Sequence, residues 1–293
     1  MLRFGIDLGG TKTEGAILDG DGRERFRERV PTDPSSYEAV LAGVARVYRR
    51  MCAHAGDAPH ALGIGTPGAV SHRTGLLKNS NTTCLNGRPL GRDLRARLGR
   101  DLALLNDANC FALAEALLGA GRGSRVVFGV ILGTGCGGGL VIDGRVHLGR
   151  QSIAGEWGHT SVDPNGPECY CGSRGCVETY ISGSGLERRH ADATGRPLAA
   201  DAIVRGWRAR DAGCARSMDA FFARFGRAVA NLIAVVDPDV IVLGGGLSNI
   251  DELYTRGVDE VARRVFSDSL DTPILRNVLG DSAGVIGAAL AGV

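Results

Sequence analysis

No apolar stretch of this 293-residue chain is long enough to cross a bilayer. Runs such as VVFGVIL and VIVLGGGL fall far short of the roughly 20 residues that a spanning helix needs. An apolar leader is also missing, because the chain opens directly on LRFGIDLGG. No signal peptide and no membrane association are therefore expected, and the expected location is the cytoplasm. Lysine is nearly absent: Lys12 and Lys78 are the only two, so almost all 34 basic residues are arginine. They are interspersed with 32 acidic residues to a net charge of +2, without a basic tail or stripe, which argues against a nucleic-acid partner. The arginine bias reads as codon composition. No low-complexity linker marks a domain boundary. What remains is an ordinary soluble composition, 44% hydrophobic and 23% charged, in a chain long enough for two modest domains with proper cores.

Glycine, by contrast, is plentiful, and it is gathered in the runs DLGGTKTEG, GIGTPGAV, LGTGCGGGL and VLGGGLS. Each follows or interrupts a short apolar segment (LRFGIDL, ALGIG, VVFGVIL, DVIVL), the pattern of buried strands that deliver tight turns. Helical candidates lie between them: SYEAVLAGVARVYRRMCAHAG, DANCFALAEALLGAG and MDAFFARFGRAVANLIAVV. Strands alternating with helices and glycine turns mean an α/β chain. The domain boundary is expected near Gly119 to Ser124, in the glycine-rich GAGRGS.

Two of the glycine runs share a grammar. In Asp7 to Thr13 a strand enters, Gly9 and Gly10 let the backbone approach an anion, and Thr11 and Lys12 add a hydroxyl and a cation. Gly133 to Gly139 repeats the arrangement behind another apolar strand. Such turns present backbone N–H groups to phosphates, although neither fits the P-loop or the dinucleotide-binding pattern. One loop alone would read equally as a chain reversal and as a phosphate site. Two, one in each half, point to a nucleotide, with Gly244, Gly245 and Gly246 as a third close-approach point for the nucleoside end.

The segment Gly155 to Glu178 places His159, Cys169, Cys171 and Cys176 where one metal could collect all four, with Glu156 and Glu178 on either side. A disulfide or three idle thiols are the plain alternatives. The absence of a leader favours metal over disulfide, and four nitrogen and sulfur ligands describe a structural zinc. Asn106 and Asp107 follow the apolar LALLN and open a helix. They read equally as an N-cap and as polar groups at a strand-to-helix junction, where an aspartate can accept the proton of an attacking hydroxyl.

Taken together, DLGGTKTE, GTPGAV, NDANC, GTGCGGG, GEWGH, CYCGSRGCVE, ISGSG, DPDVIVLGGGLSN and the final GDSAGVIGAAL resemble the ROK family of sugar kinases, in family order over most of the chain. The tract KNSNTTCLNGRPLGRDL, Lys78 to Leu94, is most similar to bacterial fructokinases of the manno(fructo)kinase type, with N-acetylglucosamine kinases close behind and glucokinases further away. The resemblance implies an α/β, two-lobed actin-like ATPase (ribonuclease-H-like) fold with a central cleft. It implies ATP-dependent phosphorylation of a hexose, D-fructose first, with N-acetylglucosamine, mannose or glucose as alternatives. It also implies the following roles. Asp107 is the general base. Asn106, Asp107, Glu156, His159 and Glu178 meet the sugar. Asp7, Gly9, Gly10, Thr11 and Lys12 form the first phosphate loop, with Asp7 near magnesium. Gly133, Thr134 and Gly135 form the second loop, and Gly244 to Gly246 border the nucleoside. His159, Cys169, Cys171 and Cys176 match the zinc ligands one for one, so His159 would serve metal and sugar at once.

The expected lobes are residues 1–118, completed by a C-terminal helix over 283–293, and residues 119–282 with the zinc loop 155–178. Residues around Pro67–Val70 and Asn79–Asn86 are expected to wall the sugar. Asn79 and Asn81 are either sugar contacts or turn residues. Some family members are sugar-responsive repressors with an N-terminal DNA-binding domain. A phosphate loop that begins at Asp7 argues against that reading. Many relatives are dimers, which makes a homodimer the expected protein partner.

Overall fold

The computed structural model describes residues 1–292, which form two compact units. The first comprises Met1–Arg122, Gly144–Ala154 and residues 279–292; the second comprises Gly123–Asp143 and Gly155–Val278. Residues 144–154 thus pack with the first unit, although they lie within the stretch 119–282 read from the sequence as the second lobe.

The first unit is built on the sheet β3-β2-β1-β4-β7. β1 (Leu2–Leu8), β2 (Lys12–Leu18) and β3 (Glu24–Pro31) form an antiparallel meander, and β4 (His60–Thr66) and β7 (Ala103–Asn106) continue it in parallel with β1. Two-residue strands β5 (Ala69–Val70) and β6 (Leu77–Lys78) pair separately. Phe4, Ile6 and Leu8 of β1 are buried beside Val40, Val44, Val47 and Met51 of α1 (Tyr37–Ala55), whose apolar positions recur at helical spacing. The C-terminal α9 (Ala283–Ala291) packs on β1 and β4, and on α3 (Asp107–Leu118). Its approach is set by glycine. A Cβ on Gly63 of β4 would lie 1.9 Å from the carbonyl oxygen of Ala288, so only a bare strand lets this helix rest on it. α2 (Leu90–Leu98) ends on Gly99, which adopts the left-handed conformation at φ 67°.

The second unit repeats the strand logic in the order β9-β8-β11-β12. β8 (Val126–Leu132) and β9 (Cys136–Ile142) form a hairpin, and β11 (Val240–Gly244) and β12 (Ile274–Arg276) run parallel to β8; β10 is the short Arg145–Val146. The 25-residue α7 (Ala212–Val236) supplies Phe221, Phe222 and Phe225 to the core of this unit. It begins six residues before the helical candidate read from the sequence. Asp211 caps it by accepting the N–H of Cys214 at 2.8 Å, and the sequence patterning had missed that start. The short helices α4 (Glu178–Ile181), α5 (Gly183–Thr194), α6 (Ala200–Arg208) and α8 (Arg256–Ala262) complete the unit. Among the described residues, no helix is long and apolar enough to cross a membrane.

Candidate functional site

In the first unit, β1 ends at Leu8 and β2 begins at Lys12, so Gly9, Gly10 and Thr11 form the turn between them. The Gly9 N–H donates to Lys12 O at 2.9 Å. The Thr32 hydroxyl donates to Gly9 O at 2.8 Å and also meets the Thr13 hydroxyl at 2.8 Å, which pins the turn to the end of β3. Asp7 enters this turn from β1. Its carboxyl is pushed up to about 7, first by burial and then by the charges of Asp107 and Glu14, against the pull of Lys12 and Arg29. Asp7, Asp107 and Lys12 therefore share one electrostatic site.

At the end of β7 the ambiguity of the Asn106–Asp107 pair resolves. Asn106 is the cap: its Oδ1 accepts the N–H groups of Ala108 and Asn109 at 2.9 and 3.3 Å, and its Nδ2 donates to Gly68 O at 3.1 Å. Asp107 is the first residue of α3 and is exposed, and its Oδ1 accepts the N–H of Ala108 at 2.8 Å. The oxygen of Asn106 is thus committed to the helix, a duty that competes with its expected role toward sugar. The proposed sugar wall is braced by Asn86, which accepts the N–H of Ser80 and donates to its carbonyl, both at 2.9 Å. Asn79 sits at φ 60°, a conformation that asparagine tolerates in turns, which favours its turn reading. Asn81 is exposed near Gly10. The buried hydroxyl of Thr82, also beside Gly10, has no hydrogen-bond partner in the structure. The sequence reading had placed it only within the expected sugar wall Asn79–Asn86, without a role of its own.

In the second unit the run GTGCGGG divides into two jobs. Gly133 to Gly135 make the β8–β9 turn, where the Gly133 N–H donates to Gly135 O at 3.0 Å. Gly137 to Gly139 belong to β9 and form the seat for GEWGH, not a loop: the Trp157 indole donates to Gly137 O at 3.2 Å, and a Cβ on Gly158 would lie 2.0 Å from Cys136 O. The start of α5 clamps the turn from outside. The Gly183 N–H donates to Gly133 O at 2.7 Å, and the Ser184 hydroxyl donates to Thr134 O at 2.7 Å. A cavity of about 680 Å³ opens here, lined among others by Gly133, Thr134, Ser184, Val204, Arg208 and Gly246. The structure thereby brings the second loop and the third glycine point together around a space of nucleoside size. The wall that α6 supplies carried no signal in the sequence, because it is formed by a helix more than 60 residues beyond the loop.

The loop from Trp157 to Val177 folds back on itself through an antiparallel bridge between Ser161 and Cys176. His159 Nδ1 lies 3.7 Å from Cys169 Sγ, Cys171 Sγ lies 3.6 Å from Cys176 Sγ, and all four ligand atoms fall within 4.8 Å of one another. Ligands at tetrahedral angles and zinc bond lengths of 2.0–2.3 Å stand about 3.5–3.8 Å apart. The donor set and its spacing therefore fit zinc, and all four positions would be filled by protein. All eight cysteines are free thiols in this structure. Glu178 accepts the N–H of Cys136 at 2.8 Å, tying the first turn of α4 to the second glycine turn. Glu156 precedes the single turn that carries His159, whose N–H donates to Glu156 O at 3.2 Å. The other imidazole nitrogen, Nε2, faces Tyr170: the phenol oxygen lies 3.0 Å away, with the ring edge-on at 5.2 Å. Tyr170 is 75% exposed as a residue. Its phenol is pushed up to about 12, first by burial of the hydroxyl end and then by Glu178, Cys169 and Glu156.

The fold is that of the actin-like ATPases, and the sequence matches the ROK family model over residues 3–291; the chain belongs to the ROK family. It is 39% identical over 300 residues to the N-acetyl-D-glucosamine kinase of Pasteurella multocida, covering 98% of each chain. Among solved structures it is similar to the ROK hexokinase from Thermus thermophilus (TM-score 0.91, 37% identity, 100% of this chain and 98% of that one). It is also similar to a ROK glucokinase from Streptomyces griseus in complex with glucose and AMPPNP (TM-score 0.81, 30% identity, 100% and 99%). None of the three carries the fructokinase name that the tract Lys78 to Leu94 led us to expect.

Proposed function

We propose that this protein is an ATP-dependent hexose kinase whose preferred substrate is an N-acetylhexosamine, N-acetylglucosamine first. The observation that carries the kinase reading is the pair Asp7 and Asp107 beside the Gly9–Thr11 turn. A buried carboxyl whose ionisation is opposed by a second carboxylate, with a lysine and a glycine turn nearby, suits a divalent cation and a polyphosphate. Asp7 and the loop would hold magnesium and the phosphates; when bound, the ion neutralises charge on the transferring phosphoryl group. The second glycine turn and its cavity would take the nucleoside.

The reaction then follows from the residues. A sugar hydroxyl oxygen attacks the γ-phosphorus, its proton passes to the Asp107 carboxylate, and the bond from the γ-phosphorus to the bridging oxygen breaks as ADP leaves. Phosphoryl transfer needs mainly positioning, which Glu156, Glu178, the amide of Asn106 and the zinc loop would supply. Zinc would be structural, holding the loop by His159, Cys169, Cys171 and Cys176. The two compact units serve as the two lobes of the kinase, and the cytoplasm is its proposed location.

The acetamido preference rests on the name of the Pasteurella relative, and it replaces our first expectation of fructose. The test is ADP release with MgATP against N-acetylglucosamine, N-acetylmannosamine, glucose, mannose and fructose, compared by kcat/KM. A clear preference for fructose would restore the earlier reading. No turnover with any sugar in zinc-replete protein would move the chain to the sugar-sensing class.

A further inference from the structure

The residue between the two proposed zinc-ligand positions Cys169 and Cys171 lies inside CYCGSRGCVE but has been given no role so far. Tyr170 is fixed from both sides by its cysteine neighbours and by the tight turn behind it, where the Cys169 N–H donates to Ser173 O at 2.9 Å and the Gly172 N–H to Cys169 O at 3.0 Å. Its hydroxyl occupies the one imidazole nitrogen of His159 that points away from the sulfur cluster. That nitrogen was the atom expected to reach the sugar.

We propose that Tyr170 is a sugar ligand, and that its phenol, carried by His159, is the donor this loop presents to substrate. The chemistry follows from the ring. With Nδ1 committed to the cluster, the imidazole proton resides on Nε2, so Nε2–H donates and the phenol oxygen accepts. The phenolic proton then points away from His159 and seeks an acceptor. Glu156, which precedes the turn carrying His159, and Glu178, which follows Cys176 by two residues, are the two carboxylates assigned to the sugar. A hydroxyl or acetamido oxygen of a hexose, bound by those carboxylates, would meet this proton. Tyr170 as a residue is largely exposed, as an aromatic side chain that receives a sugar would be. The inference rests on the proposed sugar-kinase reading.

The test is Tyr170→Phe in zinc-replete protein, with zinc stoichiometry, sugar affinity by calorimetry and steady-state kinetics measured side by side. Loss of one hydrogen bond should weaken sugar binding and raise sugar KM about 3- to 10-fold, with kcat, the KM for ATP and bound zinc unchanged. A series of monodeoxy sugars adds a second reading: one analogue that binds poorly to wild type should bind the variant as well as its parent sugar does. Unchanged or tighter sugar binding would overturn the proposal, the latter because it would make Tyr170 a plug over His159. Loss of zinc in the variant would overturn it as well, by making Tyr170 part of the staple. A wild-type protein that phosphorylates no sugar and binds none would instead sink the underlying reading.

Discussion

Asp7 and Glu14 stand opposite each other across β1 and β2, and their charges meet opposite fates. Glu14 is buried but gripped by Arg29 at 2.7 and 2.9 Å, with Arg27 and the Ser282 hydroxyl on its other oxygen. The charge of Asp7 is opposed by burial, by Asp107 and by Glu14 itself. A carboxyl raised to about 7 binds a proton more tightly in the folded chain than in the unfolded one. Its contribution to stability is full below about pH 4 and is lost as pH rises through about 7. Asp7→Asn should therefore melt higher than wild type at pH 8 and nearly equal to it at pH 4, a difference on the order of 4 kcal/mol at most. Magnesium with nucleotide should shrink that gap, while the variant loses turnover. Thermal melts of both proteins across this range, with and without MgATP, would check it. Parallel pH curves would mean Asp7 titrates normally.

Asn106 caps α3 while Asp107 is the proposed base, so substitutions at the two positions separate catalysis from folding. Asp107→Asn leaves the cap intact and should cost ~10²–10⁴ in kcat with little change in melting temperature. Asn106→Ala removes the cap and should cost about 1 kcal/mol of stability. Kinetics and urea titration of the two variants distinguish the roles. Near-normal turnover in Asp107→Asn would remove the base assignment.

Removing zinc should act on the sugar before it acts on the fold. The cluster is local to the loop that carries His159 and Tyr170, whereas the second core rests on Phe222, Phe225 and the strands beside them. Chelation or Cys176→Ser is expected to weaken sugar binding at least tenfold in protein that retains its far-ultraviolet dichroism. A folded, zinc-free protein with unchanged sugar affinity would end this account.

The nucleoside cavity yields a test by filling. Gly246 lines it, and a Cβ there would meet nothing within 4 Å. Gly246→Phe should raise the KM for ATP tenfold or more, with sugar affinity and melting temperature preserved. The neighbouring Gly245, at φ 81° and 2.5 Å from Leu132 O by the same measure, admits no such change without strain.

Much of this protein was legible in the order of its residues, for a physical reason. Glycine turns behind apolar strands, a Cys-x-Cys with a following Cys and an upstream His, and an Asn-Asp pair at a helix start are local patterns. They give the α/β class, the four candidate metal ligands and the candidates for phosphate and base directly. What the sequence left open depended on contacts between distant segments. That Gly137 to Gly139 seat GEWGH, that Asn106 and not Asp107 caps α3, that α6 walls a cavity beside Gly133, and that Tyr170 covers His159 were decided by packing and hydrogen-bond geometry. A chain pattern fixes which way a side chain leaves its own strand or helix. What that side chain then meets is set by the segments that fold against it.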